Sequence, residues 1–149
     1  MDLKQYEEII KFAIDKEIAA FNFYTRASQV AKYSGGRELF IDFSKEEEKH
    51  RKLLEEITVE KIAQLPMEKT VPDLKISDYM VDVEFKPDLS YADILRVAMK
   101  MEERSLKLYN DLKEFHKDKE LNKLFTFLAQ QEAKHKYGLE KKYDEDILK

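Results

Sequence analysis

The sequence predicts an all-α fold: a four-helix bundle built from two helical hairpins, with a long crossover between helices 2 and 3. Three observations carry this. Apolar residues recur at helical spacing through four long segments, and the chain breakers fall between them. Charged residues make up 39% of the 149-residue chain and hydrophobic ones 43%, with three glycines and three prolines, a balance that favours long amphipathic helices over sheets. The two halves also repeat: Ala13, Glu17, Tyr24, Phe40, Glu47, Lys49 and His50 are matched at a constant offset of 85 by Ala98, Glu102, Tyr109, Phe125, Glu132, Lys134 and His135.

The first helix is expected over 3–33, from Leu3 to Tyr33, ending at Ser34-Gly35-Gly36, a helix-stop signal. The second is expected over 37–63. The crossover, 64–90, contains Pro66, Pro72 and Pro87 and shows no sustained helical stripe, so at most one short helix or extended piece is expected around Ile76–Phe85. Ser90-x-x-Asp93 resembles a capping box and opens the third helix, 91–115. The fourth is expected over 118–143. A helix of about 25 residues is roughly 37 Å long. An extended connection of that many residues spans such a length easily, so the third helix can start at either end of the bundle.

The bulk properties exclude several function classes. A net charge of −4 leaves no basic footprint for nucleic acid. The absence of cysteine excludes disulfides, thiolate metal sites and thiol nucleophiles. The N-terminal MDLKQYEEII carries acids from residue 2, so neither a secretory signal nor a membrane span is expected and the cytoplasm is the default location. One domain of ordinary size, with a core that needs no staples, is expected over 1–149.

Four carboxylates stand where apolar residues belong. The second helix has its stripe at Phe40, Phe43, Glu47, His50, Leu54 and Ile57, in alternating steps of three and four, which puts Glu47 and His50 on the apolar face and leaves Glu46 and Glu48 to water. The fourth repeats this at Leu121, Phe125, Leu128, Glu132, His135 and Leu139. In the first helix Ile10, Ala13, Ile14, Glu17, Phe21 and Tyr24 trace one face, and in the third Leu95, Ala98, Glu102, Leu106 and Tyr109 do so. Buried unpaired carboxylates are costly, and four in one small volume repel each other. Two divalent cations cancel their charge when both histidines are neutral. Oxygen-rich ligation with two imidazoles suits iron or manganese and also accepts zinc or cobalt. Glu and His three apart lie one turn apart on one helix face and can serve neighbouring ions.

Other conspicuous residues have plainer readings. Tyr24 and Tyr109, seven residues after Glu17 and Glu102, are either core tyrosines or donors of a hydrogen bond to a ligand carboxylate, since long helical side chains lean toward the N-terminus. His116 ends the third helix beside its last carbonyls. Met99 and Met101 are packing or surface positions, and the remaining Lys/Glu runs are solvated faces.

With Glu17, Glu47, His50, Glu102, Glu132 and His135 in place, the chain resembles a rubrerythrin-type member of the ferritin-like superfamily over nearly its whole length. The resemblance implies a non-haem di-iron site with those six residues as ligands, Glu47 and Glu132 bridging two iron ions and Glu17 and Glu102 terminal; manganese and zinc are alternatives. It implies reduction of hydrogen peroxide or dioxygen in protection against oxidative stress. The pattern departs from the family at two points. Without cysteine there is no rubredoxin domain, so electrons come from an external donor such as a rubredoxin-like protein or a small reductant. The family's additional glutamate, one turn beyond the ligand of the third helix, is Ser105, which leaves a symmetric set also similar to a ferroxidase site that oxidises Fe(II) for sequestration. No methionine precedes His50 or His135 by two residues, so the bacterioferritin haem position is not matched. A small oligomer, a homodimer with exchange of helices through the crossover, is expected rather than a storage cage. A non-catalytic scaffold with a relict site is the remaining alternative.

Overall fold

The computed structural model describes residues 3–31, 34–68, 70–86, 88–116 and 118–149. Five α-helices account for most of these: α1 (Leu3–Val30), α2 (Ser34–Glu55), α3 (Val59–Ala63), α4 (Tyr91–Phe115) and α5 (Lys119–Tyr143). No strand occurs among the described residues, and the fold is all-α, of the ferritin-like class. The chain divides into two compact units, Met1–Ala63 and Gln64–Lys149.

In the first unit α1 and α2 form a hairpin. Its inner face on α1 is Ile10, Ala13, Glu17, Ala20, Tyr24 and Ala27, all buried, in strict steps of three and four. On α2 it is Phe40, Phe43, Glu47, His50 and Leu54. Tyr24 meets Phe40 while Glu17 meets His50, so residue numbers fall along one helix as they rise along the other, and the pair is antiparallel. Phe21 and Ile14, expected on this face, are only half-buried, and Ala20 takes the turn between Glu17 and Tyr24. Close approach of two helices favours the smaller side chain there, with the larger one packing at the edge.

Two expected boundaries move. Tyr33, the expected end of the first helix, lies outside the described residues, as does Pro87. Gly35 and Gly36 fall inside the first turn of α2 instead of ending α1, and no described glycine has a positive φ, so the left-handed glycine cap is not used. The first amides of a helix have no intrahelical acceptor, which makes that turn tolerant of glycine. The expected second helix is interrupted after Glu55. Thr58 restarts it as α3: its hydroxyl accepts the Lys61 N–H at 3.2 Å and its carbonyl accepts the Ile62 N–H at 3.0 Å. Threonine's competing side-chain acceptor favours such a cap over a helix interior.

In the second unit α4 and α5 form the equivalent hairpin, its inner stripe on α4 running through Leu95, Ala98, Glu102, Ser105 and Tyr109. Ser105, not Leu106, occupies the turn between Glu102 and Tyr109; Leu106 is half-buried. Ser90 caps α4 by accepting the Asp93 N–H at 3.2 Å, and Asp118 caps α5 by accepting the Leu121 N–H at 3.0 Å. The crossover lies against this hairpin. It contains one 3-10 turn, Ile76–Tyr79, entered through Lys75 at φ 59, a left-handed residue whose N–H donates to Asp73 Oδ1 at 2.8 Å. The five-residue π turn at 144–148 that follows α5 is tied to the start of α4 by the Tyr91 hydroxyl, which donates to Asp146 Oδ2 at 2.9 Å.

The crossover is held by polar tethers. Gln130 exchanges two hydrogen bonds with the backbone of Glu68, at 2.9 and 2.6 Å, and Lys134 pairs with the Glu68 carboxylate at 2.9 Å. Lys136, expected with the solvated Lys/Glu runs, is 3% exposed and reaches Asp73 at 2.7 Å. Glu140 is fully buried and accepts both the Ser77 N–H, at 2.7 Å, and the Ser77 hydroxyl, at 2.9 Å. These two residues are buried because the crossover covers them. At the offset of 85 their counterparts, Arg51 and Glu55, form an ion pair on an open face of α2.

Candidate metal centre

The amphipathic register of each hairpin turns one glutamate from its first helix and a Glu-x-x-His pair from its second toward the same place. In the first hairpin Glu17, Glu47 and His50 are 1%, 1% and 6% exposed. Each offers one ligand atom, and these lie within 4.8 Å of one another. His50 presents Nδ1, 3.5 Å from Glu17 Oε2 and 3.9 Å from Glu47 Oε1.

The second hairpin repeats this geometry. Glu102, Glu132 and His135 are at most 2% exposed. Their ligand atoms also lie within 4.8 Å of one another, with His135 Nδ1 3.5 Å from Glu102 Oε1 and 3.8 Å from Glu132 Oε2. The offset seen in the sequence is therefore a repeat in three dimensions, down to which imidazole nitrogen faces the carboxylates.

Each set fits a divalent transition ion. Two hard carboxylates and one borderline imidazole are the donor chemistry that iron, manganese and zinc accept. Two neighbouring carboxylates deep in an apolar hairpin carry a desolvation and repulsion cost that a cation offsets. All six residues singled out from the sequence are thus buried, and each hairpin brings its own three together.

Tyr24 and Tyr109 are 0% and 1% exposed. Tyr24 stacks on Phe40 with ring centroids 6.1 Å apart and meets the edge of Phe43 at 5.3 Å. Tyr109 stacks on Phe125, also at 6.1 Å. Ring packing of this kind fixes each tyrosine on its hairpin's inner stripe. His116 joins neither set; it caps α4 through its backbone N–H, which donates to Leu112 O at 3.0 Å. Met99 is fully buried packing and Met101 is half-buried. Ser105, Lys136 and Glu140 are buried polar residues that periodicity alone did not single out. Ser105 entered the sequence reading only as the position of the family's additional glutamate, whereas the burial of Lys136 and Glu140 depends on where the crossover lies.

Glutamate and Glu-x-x-His sets buried in paired helices define the ferritin-like carboxylate class of all-α proteins. A family model described as rubrerythrin matches residues 8–143. Among solved structures, a hypothetical protein from Pyrococcus furiosus is similar to this chain: the two are 28% identical, with a TM-score of 0.66, over 93% of this chain and 87% of the other. No curated protein matches it. The chain belongs to the rubrerythrin family. Among the described residues no helix is long and apolar enough to cross a membrane.

Proposed function

We propose that the chain is a non-haem di-iron oxidoreductase that reduces hydrogen peroxide or dioxygen. The observation that carries this reading is the twofold occurrence of one buried donor set, Glu17 with Glu47 and His50, and Glu102 with Glu132 and His135. Together the two sets bring four carboxylates, whose charge two divalent ions balance when both imidazoles are neutral. In this reading Glu17, Glu47 and His50 would hold one ion, and Glu102, Glu132 and His135 the other.

A pair of ferrous ions, when bound, supplies the two electrons that reduction of peroxide to water requires. The chain's own residues hold and insulate the site. The carboxylates take up the added positive charge without leaving their helices, because each is fixed by its position on a packed stripe. Phe40, Phe43, Phe125 and Leu128 exclude water around them. In this reading the hydroxyls of Tyr24 and Tyr109 would donate to ligand carboxylates and pass protons. An external donor re-reduces the site in this reading, and the absence of cysteine from these 149 residues supports it.

A second reading, oxidation of Fe(II) for sequestration, draws support from Ser105, which leaves each hairpin the same three donors. The two separate cleanly. An oxidoreductase turns over peroxide with a reductant at constant iron content, whereas a store accumulates ferric iron beyond two ions per chain. For either, Glu47→Ala and His135→Ala are expected to lose at least one of two bound ions per chain, measured by elemental analysis after iron reconstitution. Unchanged iron content in both variants would refute the ligand assignment.

A further inference from the structure

The second hairpin holds a cavity of about 200 Å³ between its two helices and the crossover. From α4 it is lined by Leu106, Asn110 and Lys113, at steps of four and three along one face, and from α5 by Ala129 and Ala133, a step of four apart. Thr70 borders it from the crossover, two residues after the Glu68 backbone that Gln130 holds against α5.

The internal repeat shows what makes room for it. At the offset of 85, Leu106 stands where the first hairpin has Phe21, and Ala133 where it has Glu48; both exchanges remove volume. Charge changes as well. Lys113 takes the place of Ser28 and the acid of Glu48 is gone, so this face gains two units of positive charge over its counterpart. In the first hairpin the polar groups are committed locally: Thr25 donates to Phe21 O at 2.9 Å, Ser28 to Thr25 O at 2.7 Å, and Glu48 pairs with Arg51. The side chains of Asn110 and Lys113 make no hydrogen bond or ion pair among the described residues.

The lining selects a ligand chemistry. Leu106, Ala129 and Ala133 give an apolar floor, no acidic side chain lines the cavity, and the one cation is the half-buried Lys113. An ammonium withdrawn from bulk water attracts an anion more strongly than an exposed one does. A single cation beside an apolar floor matches a singly charged head with a short hydrocarbon tail better than a dianion such as phosphate. An apolar cavity of about 150 Å³ takes a six-carbon ring, so this one has room for about seven heavy atoms.

We propose that this cavity binds a small aliphatic monocarboxylate. Its carboxylate accepts from the Lys113 ammonium and the Asn110 amide, and its tail lies on Leu106, Ala129 and Ala133. Such a ligand touches α4, α5 and the crossover at once and ties the crossover to the hairpin. The site is independent of the donor sets proposed to hold iron.

Pentanoate is the probe, titrated into the full chain with and without Zn(II) and followed through the labelled methyl signals of Ala129 and Ala133. The wild type is expected to bind it with a Kd of about 1 mM in both forms. Lys113→Met raises that Kd about tenfold, Lys113→Arg restores it, and Ala133→Leu, which fills the floor, abolishes binding. Pentanol, which lacks the charge, and phosphate, which lacks the tail, each bind about tenfold more weakly than pentanoate. No methyl shift in the wild type, or an unchanged Kd in Lys113→Met, overturns the proposal. Phosphate binding tighter than pentanoate does so too, as do shifts that need Zn(II), which would put the carboxylate on the metal. A wild type that takes pentanoate but no Zn(II) refutes the donor sets and upholds this site.

Discussion

Glu102 and Glu140 are both fully buried on the second hairpin, yet their surroundings give them opposite work. Glu140 is met by two donors from Ser77 and by the Lys136 ammonium at 3.4 Å, so its charge is compensated by the chain itself. Glu102 shares its neighbourhood with a second carboxylate and an imidazole, a set that a cation completes. Glu140→Ala leaves Lys136 and the Ser77 amide buried with fewer partners, and is expected to cost about 2–4 kcal/mol in urea denaturation while metal content stays at the wild-type level. Glu102→Ala should show the converse: metal addition raises the wild-type Tm by linkage and raises that of the variant far less. Both outcomes are read from paired thermal melts with and without added Fe(II) or Zn(II). Inward-facing Glu and His were legible in the sequence because charge and periodicity conflict there. Ala20 and Ser105 were not. At 3.6 residues per turn two adjacent residues compete for the same inward turn, and hydrophobicity favoured Phe21 and Leu106 over the smaller neighbours that close helix packing selects.

At the scale of elements, the starts of α4 and α5 were readable. Ser90 and Asp118 each accept an N–H three residues on, and replacing either with alanine is expected to cost about 1 kcal/mol of stability. A drop well below that in chemical denaturation would mean that packing alone sets where α4 and α5 begin. The break at 56–58 and the covering of α5 were not readable, since both depend on where the crossover settles. That segment has a pH signature. Burial pushes the Asp73 carboxyl up, but the Lys136 ammonium and the Lys75 amide outweigh it, so its pKa lies below the ordinary value. A carboxyl depressed on folding adds stability above its unfolded pKa, near 4, and that contribution is lost as pH falls through the folded value. Asp73→Asn should therefore lower the denaturation midpoint at pH 7 and leave it nearly unchanged at pH 2. Equal losses at both pH values would show that Asp73 acts through packing and its turn, not through charge.

For the molecule as a whole, the internal repeat is the organising fact. One hairpin design occurs twice, with matched inner stripes, matched tyrosine stacking and matched carboxylate-to-imidazole distances. The crossover breaks the likeness: it covers Lys136 and Glu140 on the second hairpin, while Arg51 and Glu55 on the first stay partly exposed. The chemistry attributed to the protein depends on the two donor sets acting on a pair of ions. The most direct measurement is anomalous scattering at the iron edge from crystals of the iron-loaded chain. Two anomalous peaks are predicted, one bonded to His50 with carboxylate oxygens from Glu17 and Glu47, and one bonded to His135 with carboxylate oxygens from Glu102 and Glu132. Peaks on other carboxylates, such as Asp73 and Asp78, or no peak at either histidine, would contradict it.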